Sequence, residues 1–252
     1  MRRYYQNLNR VEIEIFTGCN LRCRQCDRSS AQAITDERMS IEQIDHFVSE
    51  SIALRWLWYE MEVLGGEPTL HPDLFAILDS LSRYKKFNPD CTIILVTNGY
   101  GPRVQEVLRD VPPCVTVENT TKQMPNNIPF NSYNLAPADD TRFANDNFTR
   151  GCRIVSECGI GLTRYGFYLC GAGASVDRVF GFGIGISSLR EVTRRRLFAQ
   201  RGTLCRLCGH YKGKDLKVHI GEEVSENWVR AYSKYRVNQP RLRLYGSSSA
   251  CL

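Results

Sequence analysis

Apolar residues along this chain recur with two alternating periods. Arg10-Val11-Glu12-Ile13-Glu14-Ile15-Phe16 switches between polar and apolar at every step, the period of a strand. Ser40 then precedes Ile41, Ile44, Phe47 and Val48 at helical spacing, and Ser40 with Gln43 forms a capping-box pattern at the helix start. Tyr59 to Leu64 predicts a second strand, and His71-Pro72-Asp73 opens a helix carrying Leu74, Ile77, Leu78 and Leu81. Cys91 to Val96 predicts a buried strand, Val104 to Leu108 a short helix, and Val115 to Asn119 another strand. Strands that alternate with helices predict parallel βα units and an α/β fold. Polar motifs follow the strands: Thr17 to Asp27, Gly65 to Pro68, and Thr97-Asn98-Gly99. In parallel α/β folds the carboxyl ends of strands are where active sites form.

Only nine residues, Thr120 to Ile128, separate the strand ending at Asn119 from the segment Pro129 to Leu135. That is too short for an ordinary crossover helix, so the expectation is a partial, trimmed barrel. After Ala136-Pro137-Ala138-Asp139-Asp140 the chain turns to glycine, cysteine and short segments. This shift divides it into a barrel over 1–140, a cysteine-rich unit over 141–220, and a helix with a basic tail over 221–252. In the second unit Ile160 to Cys170 predicts a hairpin that delivers Cys170, with Cys205-x2-Cys208 at a helix start.

Eleven cysteines in 252 residues, with no apolar segment after Met1-Arg2-Arg3 that would serve as a signal peptide, imply a reducing, cytoplasmic setting. There, clustered cysteines point to metal or catalysis. No run is long enough to span a membrane. The net charge of +6 is concentrated in Arg194-Arg195-Arg196, Arg201, Arg206 and the tail from Arg230 to Arg243, which reads as a solvated basic surface able to meet an anionic substrate or acidic redox partner. No nucleic-acid recognition motif accompanies it. Cys91, Cys114 and Cys251 stand apart from the clusters as packing or incidental residues.

Cys19, Cys23 and Cys26 lie within eight residues. Three thiolates hold three irons of a cubane cluster and leave one iron free for a ligand, whereas zinc sites and electron-transfer clusters normally take four protein ligands. A zinc knuckle completed from a distance is the alternative. The Cys-x3-Cys-x2-Cys spacing, followed by Gly65-Gly66-Glu67-Pro68 on the second strand, resembles the signatures of the radical S-adenosylmethionine (SAM) superfamily. The resemblance implies a partial radical SAM βα barrel, a 4Fe-4S cluster on those three cysteines, and SAM on the open iron. It implies that Gly65, Gly66, Glu67 and Pro68 hold the methionyl amine, with Thr97, Asn98 and Glu118 near the ribose and methionyl groups. Gln25 replaces the aromatic residue that usually packs by the adenine.

Cys152, Cys170, Cys205 and Cys208 resemble the ligands of the twitch domain, the shortened SPASM domain that carries an auxiliary 4Fe-4S cluster. Cys158 is an alternative ligand in place of Cys170, and zinc held by Cys170, Cys205, Cys208 and His210 is the alternative metal. The arrangement is similar to that of the superfamily's aminocyclitol-oxidising dehydrogenases. It implies reductive cleavage of SAM to a 5′-deoxyadenosyl radical, hydrogen abstraction, and two-electron oxidation of a hydroxylated small molecule of the sugar or aminocyclitol class. A flavodoxin- or ferredoxin-like electron donor is implied as partner. An alcohol also needs a base, and His71, Arg150, Arg153, Tyr165 and Tyr168 are candidates by type and position. Peptide modification (crosslink or epimer formation) and a non-catalytic iron-sulfur or zinc protein are the other function classes.

Overall fold

A computed structural model of the chain describes residues 4–122, 132–213 and 224–247. Its centre is a six-stranded sheet in the order β4-β3-β2-β1-β5-β6. Strands β1 (Arg10–Phe16), β2 (Glu60–Gly65), β3 (Thr92–Thr97) and β4 (Thr116–Asn119) are parallel neighbours. They are linked by α1 (Ile41–Ala53), α2 (Leu74–Tyr84) and α3 (Pro102–Arg109). The capping box at Ser40 forms as the sequence predicts: Gln43 N–H donates to Ser40 Oγ at 3.3 Å, and Ser40 N–H donates to Gln43 Oε1 at 3.2 Å.

On the far side of β1, β5 (Ile160–Thr163) pairs parallel with it, and β6 (Gly166–Tyr168) returns antiparallel to β5. The hairpin expected around Ile160 to Cys170 therefore forms, and it extends the sheet that β1 to β4 begin. A short helix, α4 (Ile154–Glu157), precedes it; α5 (Gly171–Phe180), α6 (Arg194–Leu204) and α7 (Glu226–Val237) follow. Among the described residues the sheet is open, with β4 and β6 at its edges. The segment from Pro129 to Asn131 and the thiol of Cys251 lie outside the described residues.

The two faces of the sheet differ because side chains alternate along a strand. Val11, Ile13, Ile15, Met61, Val63, Ile93 and Leu95 are buried in one core with Ile44, Phe47 and Val48 of α1 and Leu74, Ile77, Leu78 and Leu81 of α2. The alternate positions hold Glu12 and Glu14 on β1 and Glu60 and Glu62 on β2, with Glu12 opposite Glu62 in register. Alternation by itself predicts that such a polar face meets water. Instead Glu12, Glu14 and Glu60 are buried, and each has a cation near it: Arg28 on Glu12 at 3.1 Å, Arg178 and Arg28 acting on Glu14, and Arg10 paired with Glu60. Arg201 also departs from the expected basic surface. It is buried and donates through Nη1 to the carbonyl oxygens of Tyr4, Thr149 and Arg150. No helix among the described residues is long and apolar enough to cross a membrane.

Candidate active site and second cysteine site

The loop after β1 carries Cys19, Cys23 and Cys26, and all three line one cavity of about 240 Å³. Gly65, Gly66, Thr97 and Asn98 line it from the ends of β2 and β3, and Glu12, Glu62, Asp27, Arg28 and Lys122 supply its charges. Burial pushes the Cys19 thiol up to about 12 and raises Cys23 and Cys26 as well. Cys19 Sγ nonetheless accepts from Leu21 N–H at 3.4 Å and faces Asn98 Nδ2 at 3.8 Å. Such N–H groups favour a thiolate, the form in which sulfur binds iron. Three thiols on one wall of an open cavity fit a cluster with one iron left for a ligand.

The glycines of the Gly-Gly-Glu-Pro segment are required by the cysteine loop itself. A Cβ on Gly65 would collide with the Phe16 carbonyl oxygen, and one on Gly66 with the Gly18 carbonyl oxygen. That close approach lets Gly66 N–H donate to Phe16 O at 2.7 Å and Glu67 N–H to Gly18 O at 2.9 Å. Pro68 starts a 3-10 turn that ends at Leu70. Glu67 is fully buried. Its Oε1 accepts from Thr69 N–H at 3.2 Å and from the hydroxyls of Thr69 and Thr97, each at 2.7 Å, and its Oε2 accepts from Asn98 N–H at 2.8 Å. The carboxylate thus ties the ends of β2 and β3 together and does not line the cavity. Asn98 does line it, and its Nδ2 donates to Asn20 Oδ1 at 2.9 Å.

Other candidates lie elsewhere. Gln25 has a positive φ of 56°, and its Oε1 accepts from Asn134 N–H at 2.6 Å, fastening the cysteine loop to the second half of the chain. Glu118 is exposed on the edge strand β4. None of the five candidate bases lines the cavity. His71 is buried; its Nδ1 accepts from Asp73 N–H at 3.0 Å, which leaves Nε2–H to donate to Met39 O at 3.1 Å. Tyr168 donates to Asp177 Oδ2 at 2.8 Å, Arg153 pairs with Glu157 at 2.9 Å, and Tyr165 lines a separate small pocket with Glu37 and Arg178. Arg150 is half-buried, with a carbonyl that accepts from Tyr4 N–H and Arg201.

Pattern reading missed Glu12 and Glu62, the strand-borne acidic residues that line the cavity. Burial, then the Glu12 and Glu60 carboxylates, push Glu62 up to about 8. The available signal was glutamate at alternate positions on two successive strands, each ending in a cysteine or glycine motif.

Cys152, Cys170, Cys205 and Cys208 line a second, small cavity with Ile154, Leu169, Ala172, Gly173, Leu204 and Tyr211. Burial raises all four thiols, and Cys152 and Cys170 raise those of Cys205 and Cys208 further, as close sulfurs do. Cys170 caps α5, its Sγ accepting from Gly173 N–H at 3.3 Å, so the positive end of that helix faces the sulfur. Contrary to the expectation of a helix start, Cys205 is the C-cap of α6, and Cys208 precedes a 3-10 turn. Cys158 does not line this cavity. Among the described residues no three His, Cys, Asp or Glu side chains converge closely enough for one metal ion. His210 reaches toward the first site, its Nε2 3.5 Å from Asp27 Oδ2. Burial would raise Asp27, but Arg28 and His210 hold it down to about 2.

Residues 13–126 match the family model of the Radical SAM superfamily. Two curated relatives are GTP 3′,8-cyclases. That of Campylobacter curvus (strain 525.92) is 26% identical over 98 residues, and that of Sulfurovum sp. (strain NBC37-1) is 26% identical over 103. These alignments cover 39% and 40% of this chain and 30% of each relative, so the chain spans under a third of the relatives' length. Among solved structures, BtrN in complex with AdoMet and 2-DOIA is similar over 88% of this chain and 100% of its own, with 13% identity and a TM-score of 0.48. Streptococcus suis SuiB bound to S-adenosylmethionine is similar over 44% of this chain and 24% of its own, with 18% identity and a TM-score of 0.35. The cysteine loop and the Gly-Gly-Glu-Pro turn both lie inside the matched segment, so residues 13–126 are similar to the radical SAM domain, whose family implies an enzyme, a 4Fe-4S cluster and SAM.

Proposed function

We propose that the chain is a cytoplasmic radical SAM oxidoreductase of a hydroxylated small molecule, with two 4Fe-4S clusters and an electron donor of the flavodoxin or ferredoxin type. In this reading residues 1–140 are a trimmed barrel, residues 141–220 a twitch-like unit, and residues 221–252 a C-terminal helix and tail. Cys19, Cys23 and Cys26 hold the first cluster; Cys152, Cys170, Cys205 and Cys208 hold the second. The observation that carries the reading is the gathering of those last four thiols, from three separate segments, around one small cavity. Four thiolates complete a cluster's coordination and leave no place for substrate, which suits an electron acceptor.

SAM on the first cluster, when bound, supplies a 5′-deoxyadenosyl radical. The residues of the chain do the rest: they orient the substrate carbon, exclude water and receive a proton. Oxidation of an alcohol to a carbonyl removes a hydrogen atom from carbon, a proton from oxygen and one electron. Bound SAM would supply the acceptor for the hydrogen atom and a cluster on the four rear cysteines would supply the acceptor for the electron, which leaves the cavity wall of this chain to receive the proton. Gly65 and Gly66, which line the cavity, present backbone to the SAM amine. Glu67 supports them from behind.

A nucleotide substrate is the second reading, and the two GTP 3′,8-cyclase relatives favour it. Anaerobic reconstitution with iron and sulfide tests the first: about eight irons per chain are expected, as two 4Fe-4S clusters. Four irons with one zinc would sink it.

A further inference from the structure

Helix α7 touches the segments that carry both cysteine sets, and its outer face holds charge that neither site uses. On the buried side, Tyr232 OH is 2.8 Å from Ser29 Oγ, three residues after Cys26. Trp228 Nε1–H donates at 2.7 Å to the carbonyl oxygen of Leu207, the residue before Cys208. On the other side Val229, Arg230, Ser233, Lys234, Arg236 and Val237 are exposed. From Glu226 to Ser247 five exposed cations, Arg230, Lys234, Arg236, Arg241 and Arg243, stand against one carboxylate, Glu226. Arg230 pairs with Glu226 at 2.6 Å, but both side chains face water, so the pair contributes little. Arg230 and Lys234 also line a groove of about 720 Å³ that α7 forms with the end of α5 and with Pro240. Phe180 of α5 lines the same groove, and its ring meets that of Trp228 edge-on, 4.9 Å between centroids. A packed line thus runs from the groove through Phe180 and Trp228 to the peptide beside Cys208.

We infer that the outer face of α7, with the groove beside it, docks an acidic one-electron carrier protein, whose carboxylates meet Arg230, Lys234 and Arg236 around an apolar contact on Val229 and Val237. Complementary charge steers such an encounter and fixes its register. Electron-transfer encounters are among the smallest protein interfaces, so one helix face and a groove are large enough. Electron transfer falls steeply with distance, and here only one helix, about 10–12 Å across, separates the carrier from Ser29 and Leu207. The step moves a single electron: the carrier is oxidised by one and the loaded cysteine site reduced by one. The other basic run, Arg194 to Arg196, is less suited, because it opens α6 and Cys205 lies at the opposite end of that helix, about 15 Å along it. A second copy of the chain is disfavoured as occupant, since two such faces would set cation against cation.

This role of α7 rests on the proposed radical SAM reading, and the experiment separates the two. Flavodoxin serves as the acidic probe. Its binding to the anaerobically reconstituted protein is measured by calorimetry, and SAM cleavage is driven in parallel by reduced flavodoxin and by dithionite, which needs no docking face. Binding should weaken about tenfold or more between about 0.01 M and about 0.15 M salt, as the screening length falls from about 30 to about 8 Å. Arg230→Glu combined with Lys234→Glu should lower both flavodoxin affinity and flavodoxin-driven cleavage about tenfold or more, with iron content and dithionite-driven cleavage unchanged. Arg194→Glu combined with Arg195→Glu makes the same change in net charge and should leave flavodoxin binding near that of the wild type. No binding of flavodoxin, no loss in the α7 variant, equal losses in both variants, a dimer that the α7 variant dissociates, or a single-stranded oligonucleotide bound more tightly than flavodoxin would each overturn it. Dithionite-driven cleavage without dependence on α7 leaves the radical SAM reading standing alone, and flavodoxin binding that depends on α7 in a protein that holds no cluster leaves only the docking face.

Discussion

Cys19, Cys23 and Cys26 look onto a cavity of about 240 Å³ lined by carboxylates, amides and glycine backbone, whereas Cys152, Cys170, Cys205 and Cys208 line a small cavity with Ile154, Leu169, Ala172 and Leu204. The difference in surroundings matches the difference in number. Three thiols beside polar space leave room for a ligand on a cluster, whereas four thiolates in apolar surroundings would leave none. The two sites are also joined. Gln25, Asp27 and Ser29 of the first loop meet Asn134, His210 and Tyr232 of the second half at 2.6, 3.5 and 2.8 Å, so the loop that carries three cysteines is held by the half that carries the other four.

The strongest way to break the comparison is to replace Cys19, Cys23 and Cys26 together by alanine. SAM cleavage should then vanish and about four irons should remain in the rear site, read by iron counting and electron paramagnetic resonance. Loss of both clusters would show that the rear site does not stand without the front one. Cys170→Ser sharpens the contrast from the other side: SAM should still be cleaved to 5′-deoxyadenosine, but oxidised product should not accumulate and the second cluster should be lost or altered. Cys158→Ser should keep both clusters, because Cys158 does not line the rear cavity. A cluster that needs Cys158 and tolerates Cys170→Ser would reverse the ligand assignment.

Glu67→Ala addresses the support under the front site. It removes the acceptor for four buried donors, from Thr69, Thr97 and Asn98. The expected cost is about 3 kcal/mol, from the range for charged hydrogen bonds and unsatisfied buried donors, or roughly 6–12 °C in Tm for a chain of this size. Thermal unfolding of the reconstituted protein measures it. An unchanged Tm with weakened SAM binding would give Glu67 to the cofactor and not to the frame.

The pH-dependent effect concerns Glu62. Its folded pKa of about 8 stands above the ordinary 4.5, so the native state binds a proton that the unfolded state has released, and stability falls as pH rises between those values. Glu62→Gln removes that dependence. The variant should match the wild type near pH 4.5 and exceed it in Tm by pH 8; a difference that stays constant with pH would show that Glu62 is already ionised in the empty cavity.

Much of this architecture is local in origin and was legible along the chain. The alternation of Arg10 to Phe16, the Ser40 cap and the spacing of Leu74, Ile77, Leu78 and Leu81 each depend on neighbours a few residues apart, and β1, α1 and α2 follow them. The spacing of Cys19, Cys23 and Cys26 is local too, whereas Cys152, Cys170, Cys205 and Cys208 come from three separated segments and were grouped by resemblance. What depended on contacts between distant segments was not legible. Gly65 and Gly66 are fixed by the backbone of residues 16 to 18, and Glu67 by Thr97 and Asn98 about thirty residues away. The sequence marks Glu12 and Glu62 only as the polar half of two strands; the pairing of β1 with β2 sets them opposite each other, and the return of the chain through β5 and α5 covers that face with Arg178 and Gly171 in place of water. Periodicity names the face a side chain takes, but whether that face meets solvent, a core or a cavity depends on which segment packs over it, and that is decided only when the whole chain closes.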